Sequence, residues 1–182
     1  LAARGEYRAA LGLYGSCVDS ALAHGLAGLA AESLVKSGIA TTGFGDHEGA
    51  IALYQWSLSI ALADQDSLSV PRIMANLASR HLELGNLDSC RAYLFRAAPW
   101  VDAYGNPANK ARFPLFLADY YARVGDFAKV DSLHAVAAGL QPRFAPVLSL
   151  AELHLQVIKQ ATESGRFERA HRSIASLDSL RG

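Results

Sequence analysis

The sequence has little of several features that would indicate a particular chemistry. Its two cysteines, Cys17 and Cys90, stand in no metal-binding or redox spacing, so neither a disulfide framework nor a zinc site is predicted. No sustained alternation of apolar and polar residues is present, which argues against β-strands. No uninterrupted apolar run reaches the roughly 18 residues that a membrane-spanning helix needs. These absences favour an all-helical chain that does not insert into a membrane.

An excess of charge of one sign is also missing. Lys+Arg and Asp+Glu both number 17, which gives a formal net charge of zero. A neutral chain has no general attraction for polyanions. We therefore expect no direct binding to nucleic acid.

Motifs for catalysis or cofactor binding are missing as well. The stretch "GFGDHEGA" at 43–50 has the glycines of a phosphate-binding loop, but no strand-and-helix pattern surrounds it. Its His-Glu pair would need a second histidine at position 51 for a zinc motif, and that residue is Ile51. The six histidines are scattered, and His81, His134 and His154 occupy packing positions. We expect no enzyme activity, no cofactor and no metal, and we predict a turn at 43–50.

What the sequence does contain is a repeat of forty residues. Glycines recur at this step, at Gly5, Gly45, Gly85, Gly125 and Gly165. The positions 2, 5, 9 and 12 residues after each glycine alternate between bulky and small side chains, and they follow the rhythm of one helix face. Apolar residues before each glycine, such as Leu77 and Ala78, predict another helix there. Each repeat is therefore a first helix, a turn at glycine and a second helix, in a single domain over 1–182.

Several residues qualify this regular pattern. Asp46, Asn86 and Asp126 follow turn glycines and are expected to cap the second helices. The segment "VKSGIATTGF" at 35–44 is rich in Gly and Thr, so the helix before Gly45 is predicted to end early or bend. Trp56 is expected to lie in the core or between repeats.

The pattern G-x-aromatic-x-x-Ala, followed by a bulky and then a small residue, resembles the second helix of the tetratricopeptide repeat. It is clearest in "LASRHLELGNLDSCRAYLFRA" and "LADYYARVGDFAKVDSLHAVA". The forty-residue period resembles the variety found in kinesin light chains and bacterial regulators. The resemblance implies a right-handed superhelix of antiparallel helix pairs that binds a protein or peptide without catalysis.

The same resemblance implies that ligands contact a concave face formed by the first helices, at positions thirteen, ten, nine, six, three and two before each turn glycine. From these positions we predict the partner-binding residues Arg72, Asn76, Ser79, Glu83, Arg112, Phe116, Asp119, Arg123, Leu155 and Lys159. Ala75, Leu82, Leu115 and Ala122 occupy such positions too.

The predicted face carries both signs of charge, and this leaves two interpretations open. Arg72 and Arg112 stand at equivalent positions and could bind an acidic peptide. The charges could instead pair with one another and stay solvated. The clamp that chaperone-binding members use for a terminal carboxylate is not reproduced.

The chain begins with Leu1 at a second helix and closes without a clear capping helix. We therefore expect a processed chain or a fragment of a longer protein, whose open ends could drive homo-oligomerisation or make it a scaffold. Arrays that resemble this one often form the sensory part of bacterial signalling regulators. The compartment is left open: cytoplasmic by default, or periplasmic if a signal sequence has been removed.

Overall fold

The computed structural model describes residues 2–140 and the isolated positions 155, 158, 162, 168, 171, 172, 174 and 175. Within these residues every regular element is a helix, as predicted. The seven helices that have bounds are α1 (Ala2–Ala23), α2 (Ala27–Gly43), α3 (His47–Ala63), α4 (Val70–Glu83), α5 (Leu87–Tyr104), α6 (Pro107–Arg123) and α7 (Phe127–Leu140).

Most of the helices are separated by short turns that reverse the chain at a residue with positive φ. These residues are Gly25, Gly45, Gln65, Gly85 and Gly125, with φ between 56° and 80°. At four of these turns the next amide donates a hydrogen bond to the carbonyl five residues earlier, for example Asn86 N to His81 O at 2.8 Å. This is the Schellman arrangement, which satisfies the last carbonyls of a helix and favours glycine. From Gly25 to Gly85 these turns recur every twenty residues, with Gly25 and Gln65 midway between positions of the forty-residue glycine series.

Gly5, predicted as the first turn glycine, lies inside α1 instead. Gly165, predicted as the last turn glycine, lies outside the described residues.

The chain forms two compact units, residues 1–104 and 105–182. In the first unit, each helix from α1 to α5 packs against the next one along the chain. Its largest fully buried side chains include Leu34, Ile73, Met74, Leu77 and Leu94. In the second unit, α6 packs against α7 around Ala118 and Val130.

Helix α2 continues to Gly43, so the prediction that it ends early is wrong. Gly38 lies against the ring of Tyr54 on α3, and a Cβ there would come within 2.5 Å of Tyr54 Cε1. Thr42 Oγ1 donates to Gly38 O at 2.8 Å, so its hydroxyl bonds within the helix. The glycine therefore allows α2 and α3 to approach closely, and packing offsets its low helix propensity.

The second helices bury the face that the repeat predicts. Of the nine positions that lie five, nine and twelve residues after Gly45, Gly85 and Gly125, eight are buried: Ala50, Tyr54, Ser57, Cys90, Leu94, Ala97, Val130 and Ala137. Of the corresponding positions after Gly5 and Gly165, Ala10, Tyr14 and Cys17 are half-buried and Ile174 is exposed. Trp56, expected in the core or between repeats, is 46% exposed and so lies outside the core. It follows Tyr54 by two residues, which turns its side chain about 200° round the helix and away from the buried stripe.

Candidate functional site

Equivalent positions of the two first helices of the first unit meet in an ion pair. Glu32 on α2 lies thirteen residues before Gly45, and Arg72 on α4 lies thirteen before Gly85. Arg72 Nη2 donates to Glu32 Oε2, and Lys36 Nζ lies 3.4 Å from Glu32 Oε1. The three side chains are between a third and a half exposed. Helices α2 and α4 therefore present these positions on one surface.

We call this surface the first-helix face of the first unit. It is formed by Glu32, Lys36, Ile39, Arg72, Asn76, Ser79 and Glu83, all of them at least partly exposed. The sequence also placed Ala75 and Leu82 at ligand-facing positions, but both are buried, with only 4% and 1% of their surface exposed. They share an i, i+3, i+7 stripe with the buried Ala78, and this stripe faces the inside of the unit.

A second polar contact lies one turn along from Asn76 on α4. Arg80 Nη2 donates to Ser79 Oγ at 2.9 Å, and Arg80 Nη1 lies 3.3 Å from His47 Nδ1 on α3. A guanidinium has donors only, so His47 Nδ1 must be the acceptor in this contact. Ser79 is thereby held by its neighbour at the edge of the first-helix face.

The electrostatics beneath this face favour an uncharged phenol. Burial raises the pKa of Tyr54, and a hydrogen bond with Thr42 and the charges of Arg80 and Arg72 oppose that rise without cancelling it. Tyr54 is therefore a neutral packing residue at any pH near 7.

In the second unit, α6 carries the equivalent residues. Arg112 and Arg123 are exposed, and Phe116 and Asp119 are half-buried. Leu115 and Ala122 are buried in the core of this unit, which corrects their prediction as ligand-facing in the same way as for Ala75 and Leu82. Among the predicted partner-binding residues that remain, Leu155 is exposed and helical, and Lys159 lies outside the described residues.

Glu32, Lys36 and Ile39 belong to the first-helix face although sequence reasoning missed them. The sequence predicts an irregular α2, and therefore no ligand-facing positions were assigned to that helix. The forty-residue step contained the signal, since Glu32 and Lys36 stand forty residues before Arg72 and Asn76. Sequence alone could not show that Glu32 and Arg72 bond to each other.

His81 has the half-buried packing position that the sequence predicted. Its ring stacks on Tyr93 with centroids 5.5 Å apart, and its Nδ1 has no hydrogen-bond partner. Burial lowers the pKa of this imidazole, which favours the neutral form. Among the described residues, no group of three or more His, Cys, Asp or Glu side chains could hold a metal ion. In the same part of the chain, no helix combines the length and apolarity needed to cross a membrane.

The chain resembles known proteins in its structure but not in its sequence. No model of a known protein family matches it, and no curated protein matches it. The solved structures that it resembles are helical repeat proteins of the tetratricopeptide type. The chain therefore has this helical repeat fold, which confirms the fold expected from the repeat.

The structure of BtubC (BKLC) from P. vanneervenii matches with a TM-score of 0.77 at 17% identity, over 98% of this chain and 74% of that one. The apo form of RapI matches with a TM-score of 0.74 at 14% identity, over 97% of this chain and 47% of RapI. MamA 41-end from Desulfovibrio magneticus RS-1 matches with a TM-score of 0.56 at 17% identity, over 94% of this chain and 95% of that one. At such low identity the likeness shows the fold alone.

Proposed function

We propose that this chain is a non-catalytic module that binds a protein or peptide partner through the exposed faces of its first helices. The observation that carries the proposal is the first-helix face of the first unit. There α2 and α4 bring charged, amide, hydroxyl and apolar groups onto one exposed surface while their other sides form the core. Helical repeat proteins use extended surfaces of this kind for recognition.

The chemistry of this face suits a peptide. Asn76 and Ser79 offer side chains that can hydrogen-bond a peptide backbone, and Arg72 offers a planar donor for carbonyl or carboxylate oxygens. Ile39, 52% exposed, adds an apolar contact beside them. Arg112 and Phe116 on α6 supply a similar combination in the second unit, through a guanidinium and an aromatic ring.

A finer role follows from the sequence resemblance. Forty-residue arrays that resemble this one often form the sensory part of bacterial signalling regulators. We place the module in that role, where partner binding would be reported to an output domain.

The test is direct binding by two matched double variants. Partners captured by the wild-type chain are identified by mass spectrometry, purified and titrated calorimetrically. Arg72→Glu with Arg112→Glu is expected to weaken a partner of the first-helix faces at least tenfold, because cations at the contact become anions.

The control carries the same change of charge on the exposed side of α5, as Arg91→Glu with Arg96→Glu. This variant should bind the partner as the wild type does, and circular dichroism should show that both variants are folded. Equal loss in the two variants, or no loss in the first, would place the binding surface elsewhere.

A further inference from the structure

Within the first-helix face, Glu32 occupies the place that an acidic ligand would take. Its carboxylate contacts both Arg72 and Lys36, so two cations share one anion here, and Asp66 is a second carboxylate that interacts electrostatically with Arg72. The contact with Arg72 runs through Nη2, whereas a guanidinium can bind a carboxylate with two nitrogens at once. The cluster can therefore accept a further carboxylate.

Because the three side chains are exposed, a ligand carboxylate can replace Glu32 easily. All three side chains keep at least a third of their surface in water. Exposed ion pairs are weak, because water solvates the separated charges almost as well. A carboxylate from a ligand could thus replace Glu32 on Arg72 at little cost, and Glu32 would move into solvent.

An apolar contact adjoins the cluster. Ile39 follows Lys36 by three residues, which places it one turn further along α2, and its side chain is 52% exposed. A segment that binds here would set an acidic side chain against Lys36 and Arg72 and an apolar one against Ile39.

We infer that the first-helix face of the first unit recognises an acidic peptide segment with an adjacent apolar residue, and that Glu32 is a built-in competitor for its carboxylate. This inference rests on the proposed peptide-binding function and adds the chemistry of the partner. Glu32 lowers the affinity of the face for acidic segments, so that only a segment with well-placed carboxylates displaces it.

The test uses a fluorescein-labelled octapeptide with two aspartates flanking a leucine on a Gly-Ser background, and a matched peptide with asparagine in place of both aspartates. Fluorescence anisotropy measures their binding to the whole chain. Glu32→Gln should bind the acidic peptide about two- to fivefold more tightly than the wild type does, because the competing carboxylate is gone. The amide peptide should bind both proteins equally.

Two variants make this result specific. Glu48→Gln removes an exposed carboxylate from the first turn of α3, outside the face, and should leave both affinities unchanged. Arg72→Gln should abolish the preference for the acidic peptide over the amide peptide. In the wild type, the carboxyl carbon resonance of Glu32 should shift as the acidic peptide is added, which reports displacement directly.

Each outcome of these measurements either supports or overturns the inference. Tighter binding by Glu32→Gln alone, together with a shifted Glu32 resonance, supports the inference. Equal tightening by Glu48→Gln would reduce the effect to net charge and overturn it. Failure of both proteins to bind the acidic peptide would also overturn it, whereas the proposed function would still be decided by partner capture with the Arg72 and Arg112 variants.

Discussion

At the residue scale, helices α2 and α3 of the first unit pack closely at Gly38. An added Cβ would come within 2.5 Å of Tyr54 Cε1, and Tyr54 is only 3% exposed, so its ring has little room to move. We expect Gly38→Ala to lower the free energy of unfolding by about 1–3 kcal/mol, the usual cost of overpacking. Urea denaturation followed by circular dichroism measures this change.

Gly12 provides the matched control for that substitution. It lies on the exposed side of α1, and a Cβ added there meets nothing within 4 Å. Gly12→Ala should raise the free energy of unfolding by roughly 0.5–1 kcal/mol, because alanine favours the helix. If Gly38→Ala stabilised the protein as well, the close packing of α2 on α3 would be refuted.

His81 gives the stability a dependence on pH. Burial lowers its pKa in the folded chain below the value of about 6.5 that an unfolded chain has. Between the two pKa values the unfolded chain holds more protons, so the free energy of unfolding falls as the pH drops below about 6.5. His81→Phe should keep the stacking on Tyr93 and make urea midpoints depend less on pH between about pH 7.5 and pH 5.

Tyr121, forty residues after His81, shows that an aromatic ring fits the equivalent position in the second unit. The control is His24→Gln, which removes an exposed imidazole just after α1 whose Nδ1 lies 2.8 Å from the Ser20 carbonyl oxygen. A pH profile flattened as much by His24→Gln as by His81→Phe would count against a special role for burial at His81.

At the scale of the element, the beginning of α3 depends on one side chain. Asp46 Oδ1 accepts a hydrogen bond from Gly49 N at 2.8 Å, which confirms the cap predicted for this aspartate. We expect Asp46→Ala to lower the free energy of unfolding by about 1 kcal/mol, and Asp46→Asn to cost less because its amide oxygen can still accept. Thermal unfolding of the two variants measures the difference.

Gly49 is tied to the same cap, since a Cβ there would come within 2.3 Å of Asp46 Oδ2. Gly49→Ala should therefore displace the Asp46 cap, and the higher helix propensity of alanine would be its only stabilising effect. In the double variant with Asp46→Ala the cap is already absent, so Gly49→Ala should then stabilise the helix. Simple additivity of the two changes would contradict this coupling.

The starts of α4, α6 and α7 show how far capping could be predicted from the sequence. Asp126 accepts from Lys129 N at 3.3 Å, which confirms its predicted cap. Asn106 caps α6 by accepting from Asn109 N at 2.8 Å and was missed, because it does not follow a glycine of the forty-residue series. Asp66 was missed for the same reason: it accepts from Leu68 N and Ser69 N before α4. Burial would raise its pKa, but hydrogen bonds from Ser69 and Leu68 lower it overall.

At the scale of the whole molecule, stability should be local, because helices of a repeat array contact mainly their neighbours along the chain. We expect Leu34→Ala, in the core of the first unit, to cost about 2–5 kcal/mol and to speed amide exchange mainly in α1, α2 and α3. Val130→Ala should speed exchange mainly in α6 and α7. Hydrogen–deuterium exchange with mass spectrometry compares the two variants, and equal acceleration throughout the chain would show a single cooperative unit instead.

The sequence by itself determined the helices and their order. The forty-residue step and the bulky and small columns place Ala50, Leu94 and Ala137 on buried faces, because a helix face is set by spacing alone. The same spacing put Arg72 and Arg112 at equivalent positions.

Only the tertiary structure decided how residues far apart in the chain pair. Helix α2 continues through Gly38 and its threonines because Gly38 leaves room for the ring of Tyr54. The tertiary structure joined Arg72 to Glu32, forty residues away, because adjacent first helices bring equivalent positions side by side. It also turned Trp56 outward, since hydrophobicity favours burial but the rotation of the helix decides which side chains reach the core.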